Sequence, residues 1–439
     1  MKLEESFSAG GENRKSLVEL LDSTNKFLQS PARQSLVTEI GIDKNRYSFK
    51  DSDAHSFAVE LIDFLIHGGH HSALNHLLDY LDKENPGEKD KISHLRSILE
   101  PIDPYVLEEH YKQVVDALIK GQLVIFLGAD VNLCDRQQKE KWDPTSQFPP
   151  IDLEVAEYLS EQYRRLLYSE RELVDISCPN PTFQGRGLDS LPEGCPLRNL
   201  EHITQFIDDT FGSMNLYESL DNIFKGKKYL PNKLHQSIAF LPKALRQIKS
   251  TSSVLIITTN YDETLELALS QKQERFDSLY YIAKGEGHGK FKHIFPSGKS
   301  EVIERPEEYI SEIKQNAILL KLYGTGHLVL TQDQIEDYPS DFLKKLPIRL
   351  QNKLKRSNIL FIGCNLKKRK DRSIVRRIWK ELGDRQQGTT NWWVIQQELK
   401  DRESWENKYT SILINQSFGD YIDGLNQQLC LCLASKKEV

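Results

Sequence analysis

Four short motifs place small or amide residues directly after an apolar run, where the ligand-binding loops of α/β proteins begin. The first two are Phe126-Leu-Gly-Ala-Asp-Val-Asn132 and Thr258-Thr-Asn-Tyr-Asp262. The other two are Lys321-Leu-Tyr-Gly-Thr-Gly-His327 and Phe361-Ile-Gly-Cys-Asn-Leu366. Loops at the carboxyl ends of parallel strands meet along one edge of the sheet, where backbone N–H groups can approach a phosphate. The four motifs together therefore predict a dinucleotide site.

Each motif also has an ordinary structural interpretation. Gly128-Ala129 can be a plain strand-to-loop turn, and Asp262 or Thr264 can cap the helix that follows. The glycines before His327 can form a tight turn beside an exposed histidine. Asn260 is harder to explain structurally, because an amide at a strand tip offers a ligand both a donor and an acceptor.

A basic run follows the fourth motif. Lys367-Lys-Arg-Lys370 is continued by Arg372, Arg376 and Arg377. A solvated face is the favoured interpretation, and phosphate contacts or a nucleic-acid or partner patch are the alternatives. The whole chain has a formal net charge of −6 and a pI of about 6.1, which argue against a general nucleic-acid binder.

The elements that would position the motifs are short strands alternating with helices. Apolar runs at 123–127, 254–258, 317–320, 359–362 and 393–395 read as strands buried on both faces. Helical stretches at 153–167, 234–248 and 374–382 intervene. This alternation predicts an α/β, Rossmann-like, doubly wound and mainly parallel sheet over 104–439, with an inserted helical lobe at about 150–250.

The chain before this sheet reads as a separate domain. Residues 1–103 carry leucine-rich stripes at helical spacing and end at Pro101-Ile-Asp-Pro104. We expect a small all-α N-terminal domain built as a bundle of short helices.

Apolar runs and cysteine spacing indicate where the protein is located and which cysteine-based sites to expect. The chain lacks an apolar run of membrane-spanning length and begins without an apolar signal region, so a cytoplasmic location is expected. Its six cysteines include no C-x-x-C pair, so we expect neither a structural zinc site nor a disulfide framework.

The order of the motifs resembles the sirtuin-like NAD hydrolases of bacteria. Gly-Ala-x-Val-Asn, Leu200-x-x-Ile-Thr-Gln205, Thr-Thr-Asn-Tyr-Asp, Lys-Leu-x-Gly and Phe-Ile-Gly-x-x-Leu carry the likeness over about residues 105–435. The N-terminal helices resemble an effector-associated domain, a death-fold-like adaptor of prokaryotic conflict systems, around Lys83-Glu-Asn-Pro-Gly87. This second resemblance implies recruitment of a protein partner or homo-oligomerisation, and an antiviral role.

The resemblance implies binding and cleavage of NAD at the nicotinamide–ribose bond. Asn260 would hold the nicotinamide ribose and the attacking water, Gly128 and Ala129 would pack under the pyrophosphate, and Gln205 would line the nicotinamide pocket. The remaining residues assigned to NAD by their motif positions are Asp130, Asn132, Thr259, Asp262, Gly324, Gly363 and Asn365. The missing C-x-x-C pairs argue against zinc-dependent protein deacylation, and no metal is implied.

The sequence departs from the family pattern at several positions. Asp130 replaces a glycine near the pyrophosphate, where like charges would cost about 3–4 kcal/mol at ~5 Å with an effective dielectric near 20. Tyr323 replaces the histidine that acts as the general base, and a phenol is a poor base at pH 7. His327 would substitute only if its loop folds back. Cys364-Asn365 replaces Tyr-Ser, and Lys368 replaces an aspartate.

Two functions of different classes follow. The first is an NAD glycohydrolase in which Asn260 is central and Tyr323 or His327 assists. The second is a catalytically inactive relative that senses NAD or ADP-ribose, or that scaffolds an assembly through its N-terminal domain. Nucleic-acid binding by residues 367–377 is a third and less favoured interpretation.

Overall fold

A computed structural model describes the chain except for several segments. The described residues are 12–24, 30–42, 53–67, 71–85, 87–89, 91–92, 95, 104–136, 140–163, 196–224, 229–250, 252–309, 316–324, 328–382, 392–396, 405 and 411–435. Two compact units are separated at the boundary between Pro104 and Tyr105.

The described part of the first unit is helical. Its helices are α1 (Glu12–Ser23), α2 (Ser30–Glu39), α3 (Ala54–His67) and α4 (His71–Glu84). Leucines and isoleucines on their inward faces are almost fully buried and form one hydrophobic cluster. The guanidinium of Arg14 on α1 donates two hydrogen bonds of 2.6 and 2.8 Å to the carboxylate of Asp63 on α3. The predicted role of this unit as an adaptor stays a prediction.

The second unit is built on a nine-stranded sheet. Its strands are β1 (Leu123–Leu127), β2 (Leu255–Thr258), β3 (Phe276–Tyr281), β4 (Phe291–Ile294), β5 (Ser300–Val302), β6 (Ala317–Lys321), β7 (Asn358–Ile362), β8 (Trp392–Gln396) and β9 (Ser411–Asn415). Their order is β5-β4-β3-β6-β2-β1-β7-β8-β9. All neighbouring pairs are parallel except β3–β4 and β4–β5. The predicted mainly parallel, Rossmann-like sheet is confirmed.

The central strands are apolar on both faces, as the sequence predicts. Every residue of β1, β2 and β6 is buried, including Val124, Ile256 and Leu319. In the register, Phe126 lies beside Ile257 on one side and beside Phe361 on the other. This burial explains why a run of apolar residues, rather than an alternating pattern, marks these strands.

Ten α-helices accompany the sheet in the described residues of this unit. They are α5 (Pro104–Ile119), α6 (Asp152–Gln162), α7 (Leu200–Phe211), α8 (Ser213–Phe224), α9 (Lys233–Gln247), α10 (Thr264–Gln271), α11 (Gln332–Asp337), α12 (Ile348–Arg356), α13 (Arg369–Leu382) and α14 (Phe418–Ser435). Four of these helices, α6, α7, α8 and α9, lie between β1 and β2 in the chain, and the expected inserted lobe stays a prediction. Among the described residues, no helix is long and apolar enough to span a membrane.

Candidate functional site

The strand order reverses beside β1. From β1 the chain continues to β2 and β6 on one side, and later to β7, β8 and β9 on the other. In doubly wound sheets such a switch point opens a crevice in which ligands bind. The loops that leave β1, β2, β6 and β7 at this edge begin at Gly128, Thr259, Leu322 and Gly363. The fold therefore brings the described residues of the four predicted motifs to one edge of the sheet.

The loops after β1 and β7 approach each other so closely that both require glycine. The N–H of Asp130 donates to the carbonyl of Gly363 at 3.2 Å. A Cβ on Gly128 would lie 2.2 Å from that same carbonyl oxygen. Gly363 has a φ of 69°, and a Cβ there would lie 2.6 Å from the backbone nitrogen of Val131. These glycines therefore let two loops meet, and Ala129 is buried beside them.

Asp130 is compensated by a lysine from the β7 loop. The Nζ of Lys368 lies 2.6 Å from Oδ1 of Asp130 and 3.3 Å from Oδ2 of Asp152. Burial would lower the pKa of Lys368, but the carboxylates of Asp130, Asp152 and Asp371 outweigh it and raise that pKa. Two departures from the family pattern, Asp130 and Lys368, thus form one ion pair. The repulsion predicted between Asp130 and a pyrophosphate is reduced accordingly.

Lys370 contradicts the solvated-face interpretation of the basic run. Its side chain is buried, with Nζ 2.6 Å from Oδ1 of Asp152 and 4.6 Å from the centre of the Tyr261 ring. Its backbone N–H donates to Glu201 at 2.8 Å. A carboxylate and an aromatic face together replace the water that Lys370 loses on burial.

Asp371 is a buried carboxyl beside the tip of β2. Its Oδ1 accepts a hydrogen bond from Oγ1 of Thr259 at 3.3 Å, and its Oδ2 accepts one from the N–H of Asn365 at 2.9 Å. Burial raises the pKa of Asp371 to about 6, although Lys370 and Lys368 oppose the shift. Such a group can take up and release a proton near neutral pH. The predicted residues Thr259 and Asn365 meet at this carboxyl.

The side-chain oxygen of Asn260, at the end of the same strand, accepts no hydrogen bond from the described residues. Its backbone N–H donates to Oγ1 of Thr258 at 3.0 Å, and only 8% of the residue is exposed. Its side-chain Oδ1 is buried and has no hydrogen-bond partner among the described residues. A buried acceptor without a donor is costly unless a ligand or water supplies one.

Asn132 and Asp262 join the first and second motifs. The Nδ2 of Asn132 donates to the carbonyl of Pro150 at 3.0 Å and to Oδ2 of Asp262 at 3.1 Å. The other oxygen of Asp262 accepts the N–H of Thr264 at 3.0 Å, where α10 begins. Both side chains are therefore engaged in fixing the loops, and Asp262 accepts the N–H of the first residue of α10, although the N-cap position of that helix is Glu263.

Tyr323 is buried beneath the site and does not project from it. Its hydroxyl donates to the carbonyl of Lys370 at 2.8 Å, and burial raises the pKa of the phenol well above its usual value. This placement disfavours Tyr323 as a base. Gly324 follows with a φ of 82°. His327 lies outside the described residues, so its predicted assistance stays a prediction.

The side chain of Gln205 contacts Asp209 and Asp333. Its Nε2 donates to Asp333 at 3.1 Å and to Asp209 at 3.0 Å, and its Oε1 accepts the N–H of Asp333. Gln205 thereby ties α7 to the first turn of α11. None of these contacts involves Asn260. The role of Gln205 in a nicotinamide pocket stays a prediction.

Sequence reasoning missed the buried charges that fill the edge of the sheet. Asp152, Glu201, Lys370 and Asp371 come from the first residues of α6, α7 and α13. The available signal was their position at helix starts, which favours acidic residues but does not distinguish an ordinary cap from a site. Among the described residues, no group of three or more potential metal ligands is clustered.

Residues 254–414, from the start of β2 to β9, match a family described as SIR2-like domain. This match supports a sirtuin-like class of protein for the second unit, and SIR2-like domains bind NAD. It covers three of the four motifs at the carboxyl edge, and the Gly128 motif precedes it. A comparison with curated proteins found no match.

Proposed function

We propose that this chain is a sirtuin-like NAD glycohydrolase. The reaction breaks the bond between C1′ of the ribose and the nicotinamide nitrogen and forms a bond from C1′ to a water oxygen. It yields ADP-ribose, nicotinamide and one proton. The observation that carries the proposal is the buried, unpartnered Oδ1 of Asn260 at the switch-point edge of a SIR2-like domain.

The residues at this edge fit a dinucleotide in charge as well as in topology. Lys368 is paired with Asp130 and Asp152 and is about one-fifth exposed, so its ammonium group can turn toward a pyrophosphate. The carboxylates that hold it keep the edge from carrying uncompensated positive charge before a ligand enters. The acceptor of Asn260 suits a ribose hydroxyl or the attacking water, both of which donate hydrogen bonds.

Asp371 is the best-placed candidate for the proton that the water loses. It contacts Thr259, the neighbour of Asn260, and its pKa of about 6 suits a base at neutral pH. Tyr323 is disfavoured in this role, because its hydroxyl is already donated to Lys370. Since Asp371 is fully buried, substrate would have to displace the segment that carries Lys370 and Asp371.

The test is to incubate the purified full chain with NAD and follow nicotinamide release. Asn260→Ala should lower the rate about 100-fold or more, and Asp371→Asn should remove a pH dependence centred near 6. Asn352→Ala, which removes an exposed amide on α12, is the matched control and should keep the wild-type rate. Turnover by Asn260→Ala at the wild-type rate would contradict the assignment.

A second candidate, an inactive sensor or scaffold, is favoured by one observation. The position of the family's general base holds Tyr323, whose hydroxyl is occupied and whose pKa is raised. This candidate predicts binding of NAD or ADP-ribose without nicotinamide release, or no binding by a folded chain. Calorimetric titration with both ligands, combined with the assay of nicotinamide release, distinguishes the two functions.

The cellular setting belongs to the same proposal. The resemblance of the first unit to effector-associated domains supports recruitment or self-association in an antiviral response in the cytoplasm. Light scattering on the full chain measures its oligomeric state. A concentration-independent monomer would contradict self-association and leave recruitment of a different protein.

A further inference from the structure

A cavity of about 880 Å³ is lined by residues of α11 and α13. This volume lies within the range of small-molecule sites in proteins. The helices contribute its charged and aromatic lining, which consists of Glu336, Arg369, Arg372, Arg376, Arg377 and Trp379.

The lining is strongly cationic. Four arginines face one glutamate, a formal excess of three positive charges. Arg369 forms an ion pair with Glu336. Within the described part of the chain, the other three arginines have no carboxylate partner within ion-pair distance. Arginines grouped without counter-charges favour an anionic ligand, because guanidinium groups bind phosphate oxygens in a bidentate manner.

The guanidinium group of Arg377 is held in place by two contacts, and one of its nitrogens has no hydrogen-bond partner among the described residues. The guanidinium carbon of Arg377 lies 5.4 Å from the centre of the Tyr338 ring, and its Nη2 donates to the carbonyl of Ile335 at 3.3 Å. Its Nη1 is buried without a hydrogen-bond partner among the described residues. A buried donor without an acceptor is costly unless a ligand or water supplies one, and Arg377 is among the residues that line the cavity.

The cavity also has an aromatic wall. Trp379 is half-buried and is held edge-on against Trp392, with ring centroids 5.3 Å apart and an interplanar angle of 88°. An indole fixed in this way offers a surface on which a base can stack. A bare phosphate would make no use of it.

We propose that this cavity binds a nucleotide that carries a di- or triphosphate. The phosphates contact Arg372, Arg376 and Arg377, and the base packs on Trp379. The argument uses none of the strand-tip residues, although Arg369 and Arg372 flank Lys370 and Asp371 on the same helix.

The test is calorimetric titration of the full chain with ATP, ADP, AMP and inorganic tripolyphosphate. ATP and ADP should bind, AMP about tenfold more weakly, and tripolyphosphate measurably more weakly than ATP because it lacks a base. Arg376→Ala removes an exposed side chain and should weaken ATP binding about tenfold without unfolding the protein. Arg372→Ala should act in the same direction.

Two control variants separate this site from its alternatives. Lys380→Ala removes an exposed positive charge from the same helix outside the cavity and should leave ATP affinity unchanged. Lys368→Met, which removes the ammonium group proposed to face the pyrophosphate of NAD, should also leave the ATP affinity of the folded protein unchanged, which separates this cavity from the strand-tip site. No saturable binding of ATP or ADP at millimolar concentration would overturn the proposal, as would an equal loss in Lys380→Ala.

Two further outcomes would identify another ligand. Tripolyphosphate binding as tightly as ATP would indicate a bare polyphosphate site and overturn the nucleotide. Single-stranded oligonucleotides that bind more tightly than ATP, with the same loss in Arg376→Ala, would indicate a nucleic-acid surface instead.

Discussion

At the scale of single residues, the site is governed by charges that compensate one another. Asp130 and Lys368 each depart from the family pattern, and each would be unfavourable alone. Their side chains are 23% and 22% exposed and lie 2.6 Å apart, so each supplies the counter-charge that the other needs. The effect of one such substitution can therefore be misjudged from the sequence, because the residue that compensates its charge lies more than two hundred positions away.

A double-mutant cycle tests this compensation. Asp130→Asn and Lys368→Met should each destabilise the fold, whereas the double variant should lose about 1–2 kcal/mol less than the sum of the two, because neither charge is then left unpaired. Urea unfolding measures all four proteins.

The exposed pair of Asp116 and Lys120 is the matched control for that cycle. Their side chains are 60% and 59% exposed, so solvent screens their interaction and the coupling should be close to zero. Equal coupling in the two cycles would show that the Asp130–Lys368 pair has no special role.

At the scale of elements, the site depends on how closely two strand-end loops approach. The loops after β1 and β7 are joined by hydrogen bonds from the N–H of Gly128 to Ile362 and from that of Asp130 to Gly363. The same approach positions Lys368 beside Asp130. The glycines therefore act on the site through backbone geometry.

Alanine at either glycine should strongly destabilise the second unit. Gly128→Ala and Gly363→Ala would place a Cβ 2.2 Å and 2.6 Å from backbone atoms. Because these atoms belong to the backbone, rotation of a side chain cannot relieve the clash. We expect a loss of about 2 kcal/mol or more in the free energy of unfolding for each, measured by urea denaturation.

Gly419→Ala on α14 is the matched control for these variants. A Cβ there would meet only a side-chain oxygen of Asp135 at 3.8 Å, and alanine favours the helix, so stability should stay level or rise. Gly128→Ala behaving like Gly419→Ala would contradict the close approach of the two loops.

At the scale of the whole molecule, side-chain contacts join the first and last helices of the second unit. His110 on α5 lies within 3.0 Å of the Tyr421 hydroxyl on α14, and its ring stacks edge-on against Trp393 of β8. Burial lowers the pKa of His110 to about 4. The neutral imidazole is therefore part of the packing.

This burial predicts a loss of stability in mild acid. The unfolded chain protonates His110 below its ordinary pKa of 6.5, whereas the folded chain does so only near 4, so the unfolded state binds more protons between these values. The free energy of unfolding should fall by about 2 kcal/mol from pH 7 to pH 5 on account of this residue. Urea denaturation at the two pH values measures the change.

His110→Gln keeps a hydrogen-bonding partner for Tyr421 but cannot titrate, so it should lose that much less on acidification. His288→Gln, at an exposed histidine, should retain the wild-type pH dependence. An identical pH dependence in wild type and His110→Gln would refute the prediction.

The sequence by itself predicted the central sheet and the edge at which the motifs meet. Residues buried on both faces of a strand leave a continuous apolar run, so β1, β2, β6, β7 and β8 could be located within one or two residues. Strands β3, β4, β5 and β9 escaped prediction. In β3 and β4, buried residues alternate with half-exposed ones, and β5 is short and mostly exposed, so they lack that run.

Only the tertiary structure decided which motif residues face each other and which are already engaged. Asp371 contacts Thr259 across 112 positions, Lys370 contacts Asp152 across 218, and Asp130 contacts Lys368 across 238. Local patterns carry burial and helix signals over a few residues, but not the pairing of charges between distant loops. The sequence predicted where the candidate site would lie, and packing determined which charged residues surround it.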